Sequence, residues 1–470
     1  MSIDLVVRGG RVVTPAGDGM WDIAVSGEKI AAITTPGTLD NADALVVDAK
    51  DKIVVPGGIE PHAHQCMHIS QHPELEYYSL GPEEDSIGMV HGGVTTHLDF
   101  SFVVAGEDPG VILRQREDRW KGNSYTDYSF HIGLLGEQPL PVFDRAHEFI
   151  EEGYPSFKAF TVDTRKGFRL DYGRLANLMQ VTAKHGGIVS VHAEDDDTVR
   201  YNYERAFRDG RIDGWHIQDV RSHLAEELAI RQTLAIAKST GSAVYFVHCS
   251  TRNAVELLSR HRAAGEPVYG ETLHHYLCRN SESYREPRGF CHHTYPSLKL
   301  PEDCASLWSG IMDGTLSCVA TDEMPTSLAV KLRGERIDNL TGGNLGAEAR
   351  MGIMFTEGVA LRGMSLARFV EVTSSDAARI FGLYPKKGVL VPGADADIVL
   401  IDPHIKRTLT REDFHVSDYS PWEGWMVTAW PTCTILRGRV VVEHGVLVGA
   451  RSGRLVPRYI ERAVLEGPLI

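Results

Sequence analysis

Between residues 56 and 384, short apolar runs rich in Val, Phe and Ile alternate with longer helical stretches such as 222–238 and 253–264. A strand followed by a helix that leads into another strand is the parallel β-α unit. Eight candidate strands can be counted, at 54–59, 93–100, 128–133, 156–161, 187–192, 243–248, 267–272 and 316–322. Eight such units predict a (β/α)8 TIM barrel, an α/β fold whose active site lies at the carboxyl ends of its strands. Both ends of the chain read differently. The first fifty or so residues, and those after Lys386, are short alternating strands broken by turn residues. They predict a small β-sandwich domain formed by both chain termini, residues 1–56 with 385–470, and a barrel of residues 57–384 inserted between.

With 470 residues, a chain of this pattern has room for one large barrel and an appendage. Lys and Arg total 48 against 63 Asp and Glu, a net charge of −15 with no basic block, which argues against nucleic acid and anionic membrane surfaces as partners. The seven cysteines are scattered without a CxxC pair, the pattern of reduced thiols. The amino terminus lacks the apolar core of a signal peptide, and no run of 18 apolar residues occurs. A cytoplasmic protein with no membrane partner is the expectation. The count that stands out is 21 histidines, because imidazole is the commonest transition-metal ligand.

Position decides which of them matter. The run Pro56-Gly-Gly-Ile-Glu-Pro-His62-Ala-His64 places an HxH after the first predicted barrel strand. Residues two apart in extended backbone face the same side, so His62 and His64 can grip one ion, although an edge-strand pair facing solvent has the same spacing. Apolar β runs also end in His192 and His248, and another ends in Asp322. Lys158, within Ser156-Phe-Lys-Ala-Phe160, is set among aromatic neighbours in a predicted barrel strand. A buried ammonium needs a partner or a modification: either an acid pairs with it, or desolvation frees the amine to add carbon dioxide and become a carbamate.

These motifs, with Val-His192-Ala-Glu, Phe-Val-His248-Cys-Ser-Thr, Ala-Thr-Asp322 and the closing Lys387-Gly-Val-Leu-Val-Pro-Gly-Ala-Asp-Ala-Asp-Ile-Val, resemble the amidohydrolase superfamily and, within it, the dihydropyrimidinase and hydantoinase family of cyclic amidases. The resemblance implies two divalent metal ions, of which zinc suits the nitrogen-rich donors and manganese, cobalt or iron are the alternatives. It implies His62, His64 and Asp322 on one ion, His192 and His248 on the other, and Lys158 carbamylated by CO2 to N6-carboxylysine as the bridge. A hydroxide held between the ions would open a cyclic amide or imide ring, with Asp322 as general base and then acid. A homotetramer is implied as the assembly.

The specificity positions depart from the family. Asp163 stands where the family places an oxyanion-donating tyrosine, and an ionised carboxylate can only accept hydrogen bonds. Tyr172 and Arg165 are candidate substitutes. The implied substrate-binding positions are Tyr295 in Tyr295-Pro-Ser-Leu-Lys299, Asp163, and Asn344 in Gly342-Gly-Asn-Leu-Gly-Ala-Glu-Ala-Arg350. Glu60 replaces the usual aspartate before HxH, and Cys66 replaces the arginine that dihydroorotases carry. Arg165 and Lys166 offer charge to an anionic substrate group. Glu194 and the acids at 195–197 read as a solvated loop or helix cap, Cys249 as a packed core thiol, and the arginines of the last twenty residues as a surface tail. His68, His72, His97, His131 and the pairs His274-His275 and His292-His293 read as rim or core residues. The alternatives to a cyclic amidase are an open-chain amide or ureido hydrolase on the same binuclear centre, a mononuclear deaminase of the same superfamily, and a scaffold that has lost its metals.

Overall fold

A computed structural model describes residues 2–39 and 43–468; the extreme ends and a short stretch of the predicted small domain, residues 1, 40–42 and 469–470, lie outside the described residues. Eight parallel strands run in chain order around the barrel: Gly58–Ala63, Val94–Val103, Asp127–Leu134, Ser156–Phe160, Ile188–His192, Val244–Phe246, Val268–Leu273 and Cys318–Ala320. Beyond the last strand, Glu323 N–H donates to His62 O at 3.0 Å and His64 N–H to Glu323 O at 2.6 Å, which joins the eighth strand's exit to the first. Period-two alternation sorts the side chains of each strand. In the fourth, Phe157 and Ala159 join the large core cluster with the helix residues Leu175 and Leu178, so Ser156, Lys158 and Phe160 face inward.

The predicted strands and the observed ones part at three places. The first predicted strand is two strands, Ile53–Pro56 in the outer sheet and Gly58–Ala63 in the barrel. The chain passes between the bodies at Gly57, where a Cβ would lie 2.0 Å from Thr95 Oγ1, so only glycine fits the approach. The sixth and eighth strands end before His248 and Asp322 because both residues adopt left-handed backbone, with φ of 40° and 53°. Non-glycine residues in that region cost on the order of 1–3 kcal/mol and cluster at functional sites.

The second body is a nine-stranded mixed sheet drawn from both ends of the chain. The strand Ile53–Pro56 pairs antiparallel with Ile398–Asp402, joining the amino-terminal strands to the carboxyl-terminal ones over one core that includes Val7, Ile23, Val25, Ile398 and Ile435. The two bodies are pinned by charge. Lys387 Nζ, 1 % exposed, lies 2.6 Å from Asp397, 2.7 Å from Asp127 of the third barrel strand and 3.1 Å from Asp395. Burial works against this ammonium, but Asp397, Asp127 and Asp395 outweigh it and hold its pKa above the ordinary lysine value. Lys387→Met would leave three buried carboxylates facing one another, with Arg437 to share between Asp397 and Asp127 and the half-exposed Lys29 on Asp395, and is expected to destabilise the fold by about 3–5 kcal/mol, read as a fall in the denaturant midpoint.

The carboxyl-terminal segment is not wholly a surface tail. Arg458 is fully buried against the barrel, donating to Ser129 Oγ at 2.9 Å and Phe130 O at 2.6 Å. No helix among the described residues is long and apolar enough to cross a membrane.

Candidate metal centre

Six side chains foreseen in or at the ends of barrel strands, His62, His64, Lys158, His192, His248 and Asp322, line one cavity of about 80 Å³ at the carboxyl ends of the barrel strands. All six are between 1 % and 8 % exposed. His62 Nε2 and His64 Nε2 face each other at 3.1 Å, and Asp322 Oδ1 is 3.3 Å from the first and 3.1 Å from the second. Glu271 Oε1 lies 2.5 Å from His62 Nδ1, which fixes the proton there and leaves the Nε2 lone pair for the centre. Two imidazole lone pairs and a carboxylate oxygen aimed at one point are the donor set of a divalent transition metal, and the three residues can hold one ion.

The other three sit alongside. His192 gives Nε2 to Glu194 Oε2 at 2.7 Å, which leaves its Nδ1 free to ligate. His248 packs edge-on to His192 with ring centroids 4.5 Å apart and stacks on His62 at 5.4 Å. Lys158 Nζ is held between the rings of Phe160 and Phe100, 5.0 and 5.3 Å from their centroids. Burial pushes its pKa down to about 7, despite Asp322 and Glu271 nearby. Burial also drives His62 and His248 well below the usual imidazole range, with Lys158 adding to the effect, so both rings are neutral as metal ligation requires. Burial opposes ionisation of Asp322, but His62 and His64 overcome it and hold the carboxyl well below its ordinary value. Its second oxygen accepts from Thr294 Oγ1 at 2.8 Å.

The model of the amidohydrolase family matches residues 53–441. The chain is 32 % identical to the D-hydantoinase of Streptomyces coelicolor across 97 % of this chain and 98 % of that one, and 32 % identical to the D-hydantoinase of Geobacillus stearothermophilus across 97 % and 96 %. The chain belongs to the amidohydrolase family. Among solved structures, the dihydropyrimidinase of Brevibacillus agri superposes with a TM-score of 0.92 at 30 % identity, over 97 % of this chain and 99 % of that one.

Around the metal centre of this amidohydrolase, the substrate positions divide. Asp163 and Tyr295 lie on the cavity wall, whereas Asn344 does not. Asn344 is fully buried, its side-chain amide donating to Thr321 O at 3.3 Å and its N–H to Asp322 O at 3.3 Å; Gly342 and Gly343 line the cavity beside it. Asp163 Oδ1 accepts from Arg221 Nη2 at 2.6 Å. Tyr295 donates its hydroxyl to Leu340 O at 3.2 Å and turns its ring face to Arg221 and Lys166. Of the candidate substitutes for the missing tyrosine, Tyr172 lies off the cavity and Arg165 is exposed near Glu204.

Glu194 is not part of a solvated run. It is fully buried between His192 and Arg221, whose Nη1 is 2.9 Å away. Burial opposes its charge, yet Arg221 and His192 bring its pKa down to about 2. Asp195 does cap the following helix, accepting from Thr198 N–H. Glu60 is fully buried and accepts from the N–H groups of His62 and Thr321, stiffening the HxH segment. Glu271, Thr294 and Arg221 escaped the sequence reading. Glu271 left one trace, a carboxylate within the apolar strand Val268–Leu273; Thr294 and Arg221 left none, because each acts through a partner 27 or more positions away.

Proposed function

We propose that the protein opens the ring of a cyclic amide or imide, of hydantoin or dihydropyrimidine type, by metal-dependent hydrolysis. The observation that carries this is the convergence of four histidines, an aspartate and a buried lysine set between phenyl rings on one cavity. His62, His64 and Asp322 would hold one divalent ion and His192 and His248 a second, with Lys158 as N6-carboxylysine between them; zinc is the first choice for these donors. Bound ions would supply Lewis acidity to the scissile carbonyl and lower the pKa of water.

The chain's own residues do the rest. Asp322, ionised and aimed at the centre through Oδ1, takes the proton of the attacking water and returns it to the ring nitrogen as the C–N bond breaks. Thr294 holds its other oxygen so that one face only is presented. Glu271 and Glu194 fix the tautomers of His62 and His192. Gly342 and Gly343 leave room for the ring against the wall beneath Tyr295. The product is an N-carbamoyl or related amino acid. Asp163, an acceptor engaged by Arg221, keeps the open-chain ureido amides as a second substrate class.

The family likeness supports a homotetramer. Seven cysteines, none disulfide-bonded, support a cytoplasmic setting. The sheet from both termini, 1–56 and 385–470, would serve as a separate domain beside a catalytic barrel of 57–384. The test is a hydrolysis panel of hydantoins, dihydropyrimidines, cyclic imides and ureido acids on metal-loaded enzyme and on a chelated control. Ring opening that disappears on chelation and returns with metal is expected. Turnover confined to open-chain ureido amides would move the assignment to that class, and metal-independent or absent turnover would overturn it.

A further inference from the structure

The wall of the cavity also carries a cation that nothing in the proposed chemistry uses. The fourth barrel strand leaves into a tight turn, Thr164–Lys166, opened by Asp163 at φ 67° and closed by Gly167 at φ 72°. Thr164 anchors the turn to Asp196 through its N–H at 3.0 Å and its hydroxyl at 2.7 Å. So held, Lys166 extends to the cavity, with Nζ over the Tyr295 ring at 4.9 Å.

The neighbouring charges are unevenly satisfied. Arg221 is bracketed by Asp163 at 2.6 Å and Glu194 at 2.9 Å, so its guanidinium is committed to two carboxylates. Lys299, also buried, donates to Arg221 O at 2.5 Å and Ser297 Oγ at 3.1 Å. Among the described residues, Lys166 meets an acid within ion-pair distance only at the remaining oxygen of Asp163, at 3.5 Å. Burial and the nearby Arg221 depress the Lys166 pKa while Asp163 props it up, so an arriving anion would reinforce the charged form. A second cavity, of about 220 Å³, adjoins the first and shares Asp163, Lys166 and Tyr295 with it; Arg165, Arg200 and Arg221 add cationic groups to its wall. Its acids are already partnered: Asp196 by Thr164 and Asp338 by Arg336.

We propose that the ring opened by this enzyme carries a carboxylate on its substituent, received by Lys166 where the two cavities meet. The proposal rests on the cyclic-amide reading above and narrows its substrate class. At −15 the molecule as a whole repels an anion, so recognition would depend on a local cation within the screening length of about 8–10 Å. The ammonium, set on a turn and flanked by an aromatic face, would form a charge-assisted hydrogen bond that a neutral substituent cannot match.

Two rings differing only in that charge, hydantoin-5-acetic acid and its primary amide, test it on the metal-loaded full chain by calorimetric titration and by hydrolysis. The acid is expected to bind and react at least about tenfold better than the amide, the difference shrinking with added salt. Lys166→Gln and Lys166→Met should abolish that preference mainly through KM, and Lys166→Arg should keep part of it. Equal or better handling of the amide by the wild type, or a preference untouched in Lys166→Gln, would overturn the proposal. Calorimetry separates the two readings: a Lys166-dependent preference in binding with neither ring opened would sustain the anion site and sink the ring-opening function.

Discussion

Lys158→Ala is expected to lose bound metal and ring-opening activity together, with kcat/KM falling by roughly 10³-fold or more. The size follows from the several kcal/mol that metal ions contribute to such transition states, at 1.36 kcal/mol per factor of ten. Lys158 is 1 % exposed, faces the barrel interior from the fourth strand and is surrounded by phenyl rings. An alkylammonium there adds nothing to a cation site and repels it; a carbamate on the same stem supplies two oxygens at the distance a long side chain can reach. Metal content by elemental analysis and kcat/KM on the same preparation check the prediction. Partial rescue of both by acetate or propionate, filling the space left by the side chain, is the expected signature of a lost carboxylate. A variant with normal metal content and normal rate would instead place the chemistry at a single ion held by His62, His64 and Asp322.

Asp322→Asn is the second large effect, a loss of about 10²–10⁴ in kcat, the range that positioned acid-base groups contribute. Asparagine preserves volume and can still accept from Thr294, so the exit of the eighth strand is left intact. What disappears is the negative charge facing His62 Nε2 and His64 Nε2 and the site that accepts and returns the proton. Excess metal should restore occupancy more fully than rate. If excess metal restored the full rate, Asp322 would be a ligand without a role in proton transfer.

Much of this was legible because it is local. The eight strands announced themselves as apolar runs, and His62, His64, His192, His248 and Asp322 as the polar residues ending them. Lys158 was conspicuous as a charge inside a strand flanked by phenylalanines. Less visible were the strand lengths at the sixth and eighth positions, since the left-handed turns at His248 and Asp322 leave no mark in composition. Glu194 was misread as solvated because it precedes a run of acids, while its burial depends on Arg221, 27 positions away. Asn344 was read from a motif, but its side chain turns into the backbone behind the wall and its glycine neighbours line the cavity.

The sequence by itself therefore determined the class of fold and the chemical character of the centre, because alternation along a strand and the residue at its end are properties of a few consecutive positions. Only the closed barrel decided which groups tune that centre. Glu271 reaches His62 across 209 positions, Arg221 meets Asp163 across 58, and Lys387 meets Asp127 of the third strand only where the outer sheet docks on the barrel. Such pairs form when strands distant in the chain become neighbours around the ring, and their energies come from removing water between charges, which no local pattern encodes.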